Sequence, residues 1–487
     1  MNLPNRGDVH LSLFNKFFVY VSYVTLLFFG HFRDFLDKLF GIKEFTTPKG
    51  YAPLTNDFEA FYTRRMYTRI EDCWNRPITG LPGAWIDVLE RRSLHPVWLR
   101  DQVLTGTTKK CLNLASYNYL GFASKEGPIL EKVVKTVKQF GVSCASSRME
   151  LGTIPVHRAT EKLVSEFVGK EDAMIFSMGY GTNSTTIPAL VGKGDLVISD
   201  ALNHASLVYG CKASGARVKV FQHNDPTHLE KVVKQSIVEG QPRLNRPWKR
   251  ILIIVEGIYS MEGEICRLPE IVAIKKKYKC YLYVDEAHSI GALGRHARGV
   301  CDHTGVDPKD VDILMGTFTK SFASVGGYIA ADKVVIDYLR TRSFGQIYET
   351  SMAPGAMEQA YQSLLCIMGR DGTKIGQQKI DQLRDNSNFF RNALRDAGLQ
   401  VFGDEDSPVV PAMLYFPAKI PAFSRECLAR GIAVVVVGFP ATPLLEGRIR
   451  FCLSASHTRQ DLEWAVKEIS DLSDKLMIKY GTKTRAH

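Results

Sequence analysis

The hydrophobic and polar positions along the chain form an apolar N-terminal segment, a polar connector and a long region in which two periodicities alternate. Runs rich in β-branched residues predict strands at residues 173–177, 195–199, 217–221, 251–257, 280–285 and 312–318. Helical patterns, such as 227–239 and 268–277, lie between several of them. This alternation predicts an α/β domain with a mostly parallel sheet, in which ligands bind at the carboxyl ends of the strands.

After about residue 352 the pattern changes to long helical stretches, followed by the strand-like runs "VVPAMLYF" and "IAVVVVGF". These predict a second, smaller α+β domain at the C-terminus. We therefore expect four parts: a membrane-anchoring segment at 1–45, a connector at 46–110, a large domain at 111–354 and a small domain at 355–487.

The N-terminal apolar segment is long enough to contact a membrane in either of two ways. Residues 11–30 carry a single charge, Lys16, and a spanning helix needs about 20 apolar residues. The next run, "HFRDFLDKLFGI", places its phenylalanines and leucines on one helical face, which suits a helix in the membrane interface. No small-residue cleavage site follows, so a signal peptide fits less well. The sequence predicts membrane attachment and leaves spanning and interfacial positions open.

Charge and cysteine usage exclude several classes of site. The formal net charge is +11, but the basic residues are spread along the chain without a long Lys/Arg run. No nucleic-acid groove is therefore predicted. The ten cysteines are scattered and include no CxxC pair, so neither a metal site nor a redox centre is predicted. Scattered single cysteines are typical of a reducing compartment.

The letters DEAH at residues 285–288 also occur in ATP-driven helicases, where the acidic pair acts beside a phosphate-binding loop. Such a loop has the form G-x-x-x-x-G-K-[ST], and the sequence contains none. No G-x-G-x-x-G follows a predicted strand either. ATP hydrolysis and dinucleotide chemistry therefore lack their main signatures.

Asp285 and Lys320 each come directly after an apolar strand, where sites form in such sheets. Pyridoxal phosphate (PLP) requires a lysine for its Schiff base and a carboxylate that keeps its pyridine nitrogen protonated. Its phosphate requires hydroxyls and backbone N–H groups, and Lys320 stands among Thr317, Thr319 and Ser321. These residues predict a PLP site, against the simpler interpretation that they cap loops.

Nine segments, in this order along the chain, identify the protein family more specifically than the spacing of Asp285 and Lys320 does. They are "NLASYNYLGFA", "SSRMELGTIPVHRATE", "SMGYGTN", "SDALNHAS", "EGIYSMEGEICRL", "VDEAHSIGALG", "GTFTKSFASVGGY", "VVVVGFPATP" and "RIRFCLSASHT". Together they make the chain resemble, over nearly its whole length, the α-oxoamine synthase family. That family belongs to the fold-type I, aspartate aminotransferase-like PLP-dependent transferases. The resemblance implies PLP as cofactor.

The resemblance assigns roles around the PLP ring. Lys320 matches the Schiff-base lysine, which then acts as acid and base. Asp285 matches the residue that faces the pyridine nitrogen, and His288 the residue near the ring's phenolic oxygen. His204 matches the histidine that stacks on the ring and can contact the substrate carboxylate.

Phosphate and substrate contacts are implied in the same way. Gly179, Tyr180, Thr317 and Thr319 are the candidates for the phosphate. Arg450 matches the arginine associated with the amino-acid carboxylate, because a guanidinium can hold two oxygens at once.

Two further residues are candidates for substrate binding. Arg448 competes with Arg450 for the carboxylate, since it faces the same side of the predicted strand. Asn118 is a further candidate for the substrate pocket, where it would act from across a subunit interface.

Within the family, the resemblance implies the branch that condenses L-serine with a long-chain acyl-CoA such as palmitoyl-CoA. The products are 3-oxosphinganine, CoA and CO₂, at the first step of sphingolipid biosynthesis. An apolar substrate and product give a reason for membrane attachment. The resemblance also implies the endoplasmic reticulum membrane, with the catalytic domain facing the cytosol.

Two alternatives share the fold. One is a synthase of the same family that uses glycine or alanine, and the N-terminal segment and the "GFPATP" loop disfavour it. The other is a non-catalytic partner subunit, and the presence of Lys320 argues against it. The resemblance implies a heterodimer with a related subunit lacking the lysine, while a homodimer, the acyl-chain length and the regulatory partners stay open.

Overall fold

The computed structural model describes residues 11–40, 50–52, 57–94, 102–243 and 245–481. Its helices are α1 (Leu13–Leu39), α2 (Asp57–Arg65), α3 (Pro128–Phe140), α4 (Pro155–Val168), α5 (Gly179–Leu190), α6 (Ala205–Ala213), α7 (Pro226–Glu239), α8 (Leu268–Tyr278), α9 (Val300–Thr304), α10 (Lys333–Arg340), α11 (Phe344–Ile347), α12 (Pro354–Ile367), α13 (Ile375–Asp396), α14 (Lys419–Ala429) and α15 (Arg459–Lys475). Its strands are β1 (Ile78–Thr79), β2 (Trp85–Ser93), β3 (Gln102–Asn113), β4 (Asp172–Phe176), β5 (Leu196–Asp200), β6 (Arg217–Phe221), β7 (Ile251–Glu256), β8 (Tyr281–Asp285), β9 (Ile313–Thr317), β10 (Gly327–Ala331), β11 (Val409–Met413), β12 (Ile432–Ala433), β13 (Val435–Val437) and β14 (Arg448–Cys452).

A seven-stranded sheet in the order β4-β10-β9-β8-β7-β5-β6 forms the centre of the molecule. The run from β9 to β6 is parallel, and β10 is antiparallel to both of its neighbours. Helices cover both faces, so strands such as β5 and β9 are buried at every position and read as continuous apolar runs. The predicted, mostly parallel sheet is confirmed, and each predicted strand agrees with an observed one to within one residue at either end. Strand β10 was not predicted.

The C-terminal part contains a three-stranded antiparallel sheet in the order β11-β14-β13. Helices α13 and α15 pack on each other beside it, with Leu383, Phe390 and Leu462 in the core. The predicted run "IAVVVVGF" is two short strands rather than one. Its first part, β12, leaves this sheet and pairs in parallel with β3. The smaller α+β region is present as predicted.

The region predicted as a connector contains regular structure. Strands β2 and β3 form a long antiparallel ribbon whose register shifts between Leu89 and Arg91. The sheet continues in the order β1-β2-β3-β12 and so joins the N-terminal and C-terminal parts of the chain. Much of the ribbon is exposed, and its polar composition concealed the strands in the sequence. The domain boundaries given above stay predictions.

The N-terminal apolar segment is one continuous helix, α1, across both of the pieces distinguished in the sequence. Within it, residues 13–37 are long and apolar enough to cross a membrane by length and composition. Leu11 and α1 residues Val19 and Tyr23 pack against Met413 and Tyr415. Most other apolar side chains of α1 are exposed. The helix therefore presents one face to the protein and a larger apolar face outward.

The C-terminal end of α1 is fixed to α2 by ion pairs. Arg64 Nη2 lies 2.7 Å from Asp34 Oδ2, and Arg65 Nε lies 2.5 Å from Asp34 Oδ1. Arg65 also pairs with Asp37. Arg65 is buried, so its neighbouring carboxylates compensate a charge that is removed from water.

Candidate active site

Asp285 ends β8 at the carboxyl edge of the central sheet and has both oxygens engaged. Oδ2 accepts a hydrogen bond of 2.7 Å from Asn183 Nδ2, and Oδ1 accepts one of 2.8 Å from the Ala287 backbone N–H. The Tyr283 hydroxyl donates to Asn183 Oδ1 at 2.7 Å, so the amide must present its N–H₂ to Asp285. All of these side chains are buried. The carboxylate is therefore held in one orientation before any ligand arrives.

His204 precedes α6 and lies at the open side of the same edge. Its Nδ1 accepts from the Ser206 backbone N–H at 3.2 Å, which leaves Nε2 to carry the proton of a neutral ring. Partial desolvation of the ring lowers the pKa of His204, against the opposing effect of Asp285. Ser206 Oγ also accepts from Asn183 Nδ2 at 3.0 Å, and this connects the histidine to the hydrogen bonds of Asp285. The ring is thus neutral, oriented and exposed on one side.

His288 lies deeper than His204. Its Nδ1 is 2.8 Å from the hydroxyl of Tyr119, a fully buried residue. The edge of the Tyr117 ring meets it at 5.1 Å between centroids. Burial, followed by the positive charge of Lys320, holds the pKa of His288 well below its ordinary value.

Lys320 lies three residues after the end of β9, and its Nζ is 5.7 Å from the centroid of the Tyr117 ring. Burial lowers the pKa of Lys320 to about 8, although the carboxylates of Asp285 and Glu256 oppose the change. A lysine with this pKa has a substantial neutral fraction near physiological pH. It can therefore attack a carbonyl, which a fully protonated surface lysine cannot do.

The predicted phosphate contacts meet at the N-terminus of α5. Gly179 opens this helix, and a Cβ there would lie only 2.9 Å from Thr317 Oγ1, so the backbone and the threonine leave no room for a side chain. Thr317 Oγ1 is 2.8 Å from Thr319 Oγ1. Thr317 Oγ1 also donates to the Gly326 carbonyl at 2.9 Å. The first-turn N–H groups, which have no partner within a helix, and the hydroxyl of Thr319 are a candidate anion site. Tyr180 is exposed beside it, with its ring 6.2 Å from that of His204.

The two arginines of β14 lie in different environments although both are buried. Arg448 pairs with Glu262 at 3.2 Å and with Glu446, and it also donates to the Met261 carbonyl at 3.1 Å. Arg450 has no carboxylate partner in the described part of the chain. Its Nη1 contacts Met261 Sδ at 3.5 Å, and its Nε is buried without a hydrogen-bond partner. Arg450 therefore has one buried donor, Nε, without a partner beside the site, whereas the charge of Arg448 is already compensated.

Asn118 lies close to the site, but its side chain serves the fold. Its Nδ2 donates to the Pro82 carbonyl at 3.0 Å, and its Oδ1 accepts from the Ala123 N–H at 3.4 Å. Its neighbour Tyr117 instead has its ring close to both cations, with Lys320 Nζ 5.7 Å and the Arg450 guanidinium carbon 5.0 Å from the ring centroid. The substrate role of Asn118 stays a prediction.

Tyr117, Asn183 and Glu256 were not identified from the sequence. Glu256 ends β7 directly beside Asp285 in the strand register, and burial raises its pKa well above the ordinary value. One of its oxygens accepts from the His204 backbone N–H at 2.5 Å. Its position after an apolar strand is the signal that singled out Asp285, so the same rule could have found it. Tyr117 and Asn183 carry no such local signal.

The geometry fits PLP. One sheet edge holds a lysine of lowered pKa, a preoriented carboxylate, a neutral histidine with an open side and an anion site at a helix N-terminus. The cradle at Gly179 and the unpartnered Nε of Arg450 are the features that a structure without a ligand function would not need. The described residues contain no group of three or more metal-binding side chains.

Comparison with known proteins gives consistent matches. Residues 109–469 match the family model for class I and II aminotransferases. The chain is 57% identical to serine palmitoyltransferase 2 of Dictyostelium discoideum, over 95% of this chain and 94% of that protein. It is 55% identical to long chain base biosynthesis protein 2d of Oryza sativa subsp. japonica, over 94% of each.

Solved structures of serine palmitoyltransferases have the same fold. That of the Sphingomonas wittichii enzyme has a TM-score of 0.76 at 29% identity, covering 88% of this chain and all of that one. A serine palmitoyltransferase solved with its PLP internal aldimine has a TM-score of 0.74 at 26% identity, covering 86% of this chain and 98% of that chain.

Proposed function

The chain belongs to the class I and II aminotransferase family and, within it, to the PLP-dependent serine palmitoyltransferases, and we propose that the residues around Lys320 perform the condensation on this chain. The substrates are L-serine and a long-chain acyl-CoA such as palmitoyl-CoA. The products are 3-oxosphinganine, CoA and CO₂. The observation that carries the assignment of residues is the convergence of Lys320, Asp285 and His204 at the carboxyl edge of the central sheet, with Arg450 of β14 near the same Tyr117 ring as Lys320.

PLP would be held by Lys320, by Asp285 at its ring nitrogen and by the N-terminus of α5 with Thr317 and Thr319 at its phosphate. When bound, it supplies an electron sink that stabilises negative charge at the substrate Cα. Asp285 keeps a negative charge where the ring nitrogen needs a proton. His204, at the open side of the site, would contact the bound cofactor ring.

Arg450 would bind the serine carboxylate. Its Nε has no partner in the folded chain, and a guanidinium forms paired hydrogen bonds with a carboxylate. With the carboxylate held there, the amine of Lys320 removes the Cα proton and later returns one. The ring of Tyr117 lies near both the Lys320 amine and the Arg450 guanidinium.

Membrane contact is proposed for α1. It rests on the outward apolar face of the helix, on which Phe14, Phe17, Phe28 and Leu39 are exposed. An acyl chain of the substrate favours the same environment. A chain that lacks residues 1–45 should fail to sediment with phosphatidylcholine vesicles, whereas the full-length chain should sediment with them. Equal sedimentation would contradict the proposal.

Residence in the endoplasmic reticulum membrane, with the catalytic part in the cytosol, is proposed together with membrane contact.

A partner subunit is proposed to cover the open side of the site. Large apolar side chains are exposed there, namely Met178, Tyr180, Tyr209, Phe344 and Tyr348. The proposed occupant is a related subunit that lacks the lysine, and a second copy of this chain is the alternative. Analytical ultracentrifugation of the chain alone and after co-expression with such a subunit distinguishes them, because a homodimer forms without the subunit.

The first test is the visible absorbance of the purified, PLP-loaded protein before and after L-serine is added, with Lys320→Ala beside it. We expect a violet band that shifts with serine in the wild type and is altered in the variant. Glycine and L-alanine should shift it less. A colourless protein, even with PLP supplied and the partner co-expressed, would overturn the proposal.

A further inference from the structure

A largely buried ion-pair cluster lies next to the site and includes none of the residues assigned to the cofactor or the substrate. His223 follows β6 and stands between two carboxylates: its Nδ1 is 2.8 Å from Asp200 Oδ1, and its Nε2 is 2.9 Å from Glu264 Oε2. The edge of the ring meets Tyr259 at 4.4 Å. The Nδ1 contact is a hydrogen bond, whereas the Nε2 contact is at ion-pair distance without hydrogen-bond geometry. An imidazolium is attracted to both carboxylates, whereas neutral imidazole has a single N–H and no charge to pair with the second.

Asp200 connects the cluster to the histidine of the site. It ends β5, and its carboxylate accepts from the Leu202 backbone N–H at 2.8 Å and from that of Asn224 at 2.8 Å. Residues 201–203 then lead directly to His204. The position of the His204 loop therefore depends on the orientation of Asp200.

Glu264 connects the cluster to the arginines. It lies in the turn closed by the antiparallel bridge between Ile258 and Ile265. The tip of this turn supplies the Met261 sulfur that contacts Arg450, and its Glu262 pairs with Arg448. A displacement of the turn would move the support of Arg450.

We propose that His223 is a positioning residue that couples the His204 loop to the Met261 turn, so that His204 and Arg450 face one bound amino acid. It acts through Asp200 and Glu264 and contacts neither the substrate nor the cofactor. The inference rests on the proposed function, because it concerns the binding of serine.

Electrostatics agree with a charged link. Burial alone would lower the pKa of His223, but the hydrogen bonds and charges of Asp200 and Glu264 outweigh burial and raise it to about 9. The imidazolium is therefore the main form at neutral pH. Its positive charge also relieves the repulsion between two carboxylates that are both largely buried.

The test is a serine titration of the visible band in His223→Gln, with the PLP-loaded protein and its partner. We expect the serine Kd to rise about tenfold and kcat/KM for serine to fall by a similar factor, while the KM for acyl-CoA and the PLP content stay within about twofold. His296→Gln is the matched control, because His296 pairs with Asp302 at 3.3 Å on the surface. It should behave like the wild type.

Two further variants keep the test decisive. If His223→Gln does not fold, Glu264→Gln takes its place in the test. It removes only the ion pair between His223 and the Met261 turn and should weaken serine binding about threefold. Glu264→Gln combined with His223→Gln permits an amide–amide hydrogen bond and should recover part of the affinity. Unchanged serine affinity in the foldable variants, or a loss confined to melting temperature and PLP content, would overturn the inference. A wild type without a serine response would instead refute the proposed function.

Discussion

The two sides of the site differ in how completely their polar groups are satisfied. On the central sheet, Asp285, His204 and His288 each have hydrogen-bond partners from the chain itself. On β14, Arg450 is buried with its Nε unpartnered. A buried group without a partner is costly to the folded chain. The proposed cofactor side is thus preorganised, whereas the proposed substrate side keeps an unpartnered donor.

The two arginines of strand β14 can be compared directly. Arg448, two residues from Arg450, is equally buried but has Glu262 and Glu446 as partners. The same side-chain chemistry therefore stabilises the fold at one position and is available for binding at the other. Four measurements test the contrast between the two sides.

The largest effect is expected from Lys320→Ala, which removes the only group in the site that we assign to proton transfer at Cα. Condensation activity should fall by at least about 10³-fold. Product formation from radiolabelled serine and palmitoyl-CoA measures it. Lys333→Ala, at an exposed lysine paired with Asp337, should retain full activity. Residual activity above 1 part in about 100 would show that another group moves the proton.

Asp285→Asn should lower kcat by about 10²–10³-fold, because an amide keeps the shape but not the negative charge that holds the ring nitrogen protonated. Asp195→Asn is the control, since Asp195 is equally buried but pairs with Arg250 at the opposite end of the sheet. It should alter stability without altering kcat per PLP bound. A similar kcat loss in both variants would show that Asp285 has no role in catalysis beyond its effect on stability.

Arg450→Lys and Arg448→Lys test the substrate side directly. The first should raise the serine KM by about 10–100-fold, because lysine cannot form the paired hydrogen bonds, with little change in thermal stability. The second should mainly lower the melting temperature, because a single ammonium cannot hold Glu262, Glu446 and the Met261 carbonyl together. If Arg448→Lys carries the larger KM change, the assignment of the carboxylate to Arg450 is wrong.

The smallest effect concerns the pH dependence of stability through His223. Its pKa is raised from 6.5 to about 9, so the stabilisation is complete below pH 6.5 and is lost as the pH rises through 9. At about 1.4 kcal/mol for each pKa unit, it amounts to about 3 kcal/mol at most. Melting temperatures of wild type and His223→Gln from pH 6 to 10 should converge near pH 10. A constant difference would show that the histidine stays neutral in the folded protein.

Local patterns predicted the sheet and the residues at its edge. Buried parallel strands read as apolar runs, so the ends of β8 and β9 and the importance of Asp285 and Lys320 followed from the sequence. The choice of Arg450 needed the family resemblance. The preference proposed for Arg450 over Arg448 rests on the structure, since Glu262, a partner of Arg448, lies on a turn far away in the chain.

The remaining gaps have physical causes. Glu256 and His223 act through neighbours that only the folded chain brings together, such as His204 and Glu264. The β2–β3 ribbon is largely exposed, so it lacks the apolar pattern that identifies a strand. The continuous helix α1 joins two segments of different composition, which suggested a break that the backbone does not have.

The pairing of β3 with β12 has a consequence for the chain while it is being synthesised. Leu112 N–H donates to the Gly431 carbonyl at 2.8 Å, and Lys109 bonds to Ala429, which is 320 residues later in the chain. At about 5–20 residues per second, the ribosome needs tens of seconds to add that length. During this interval the edge of β3 has free N–H and C=O groups that can pair with other nascent chains. Early protection of this ribbon by a chaperone should therefore determine how much of the newly made protein reaches the folded state.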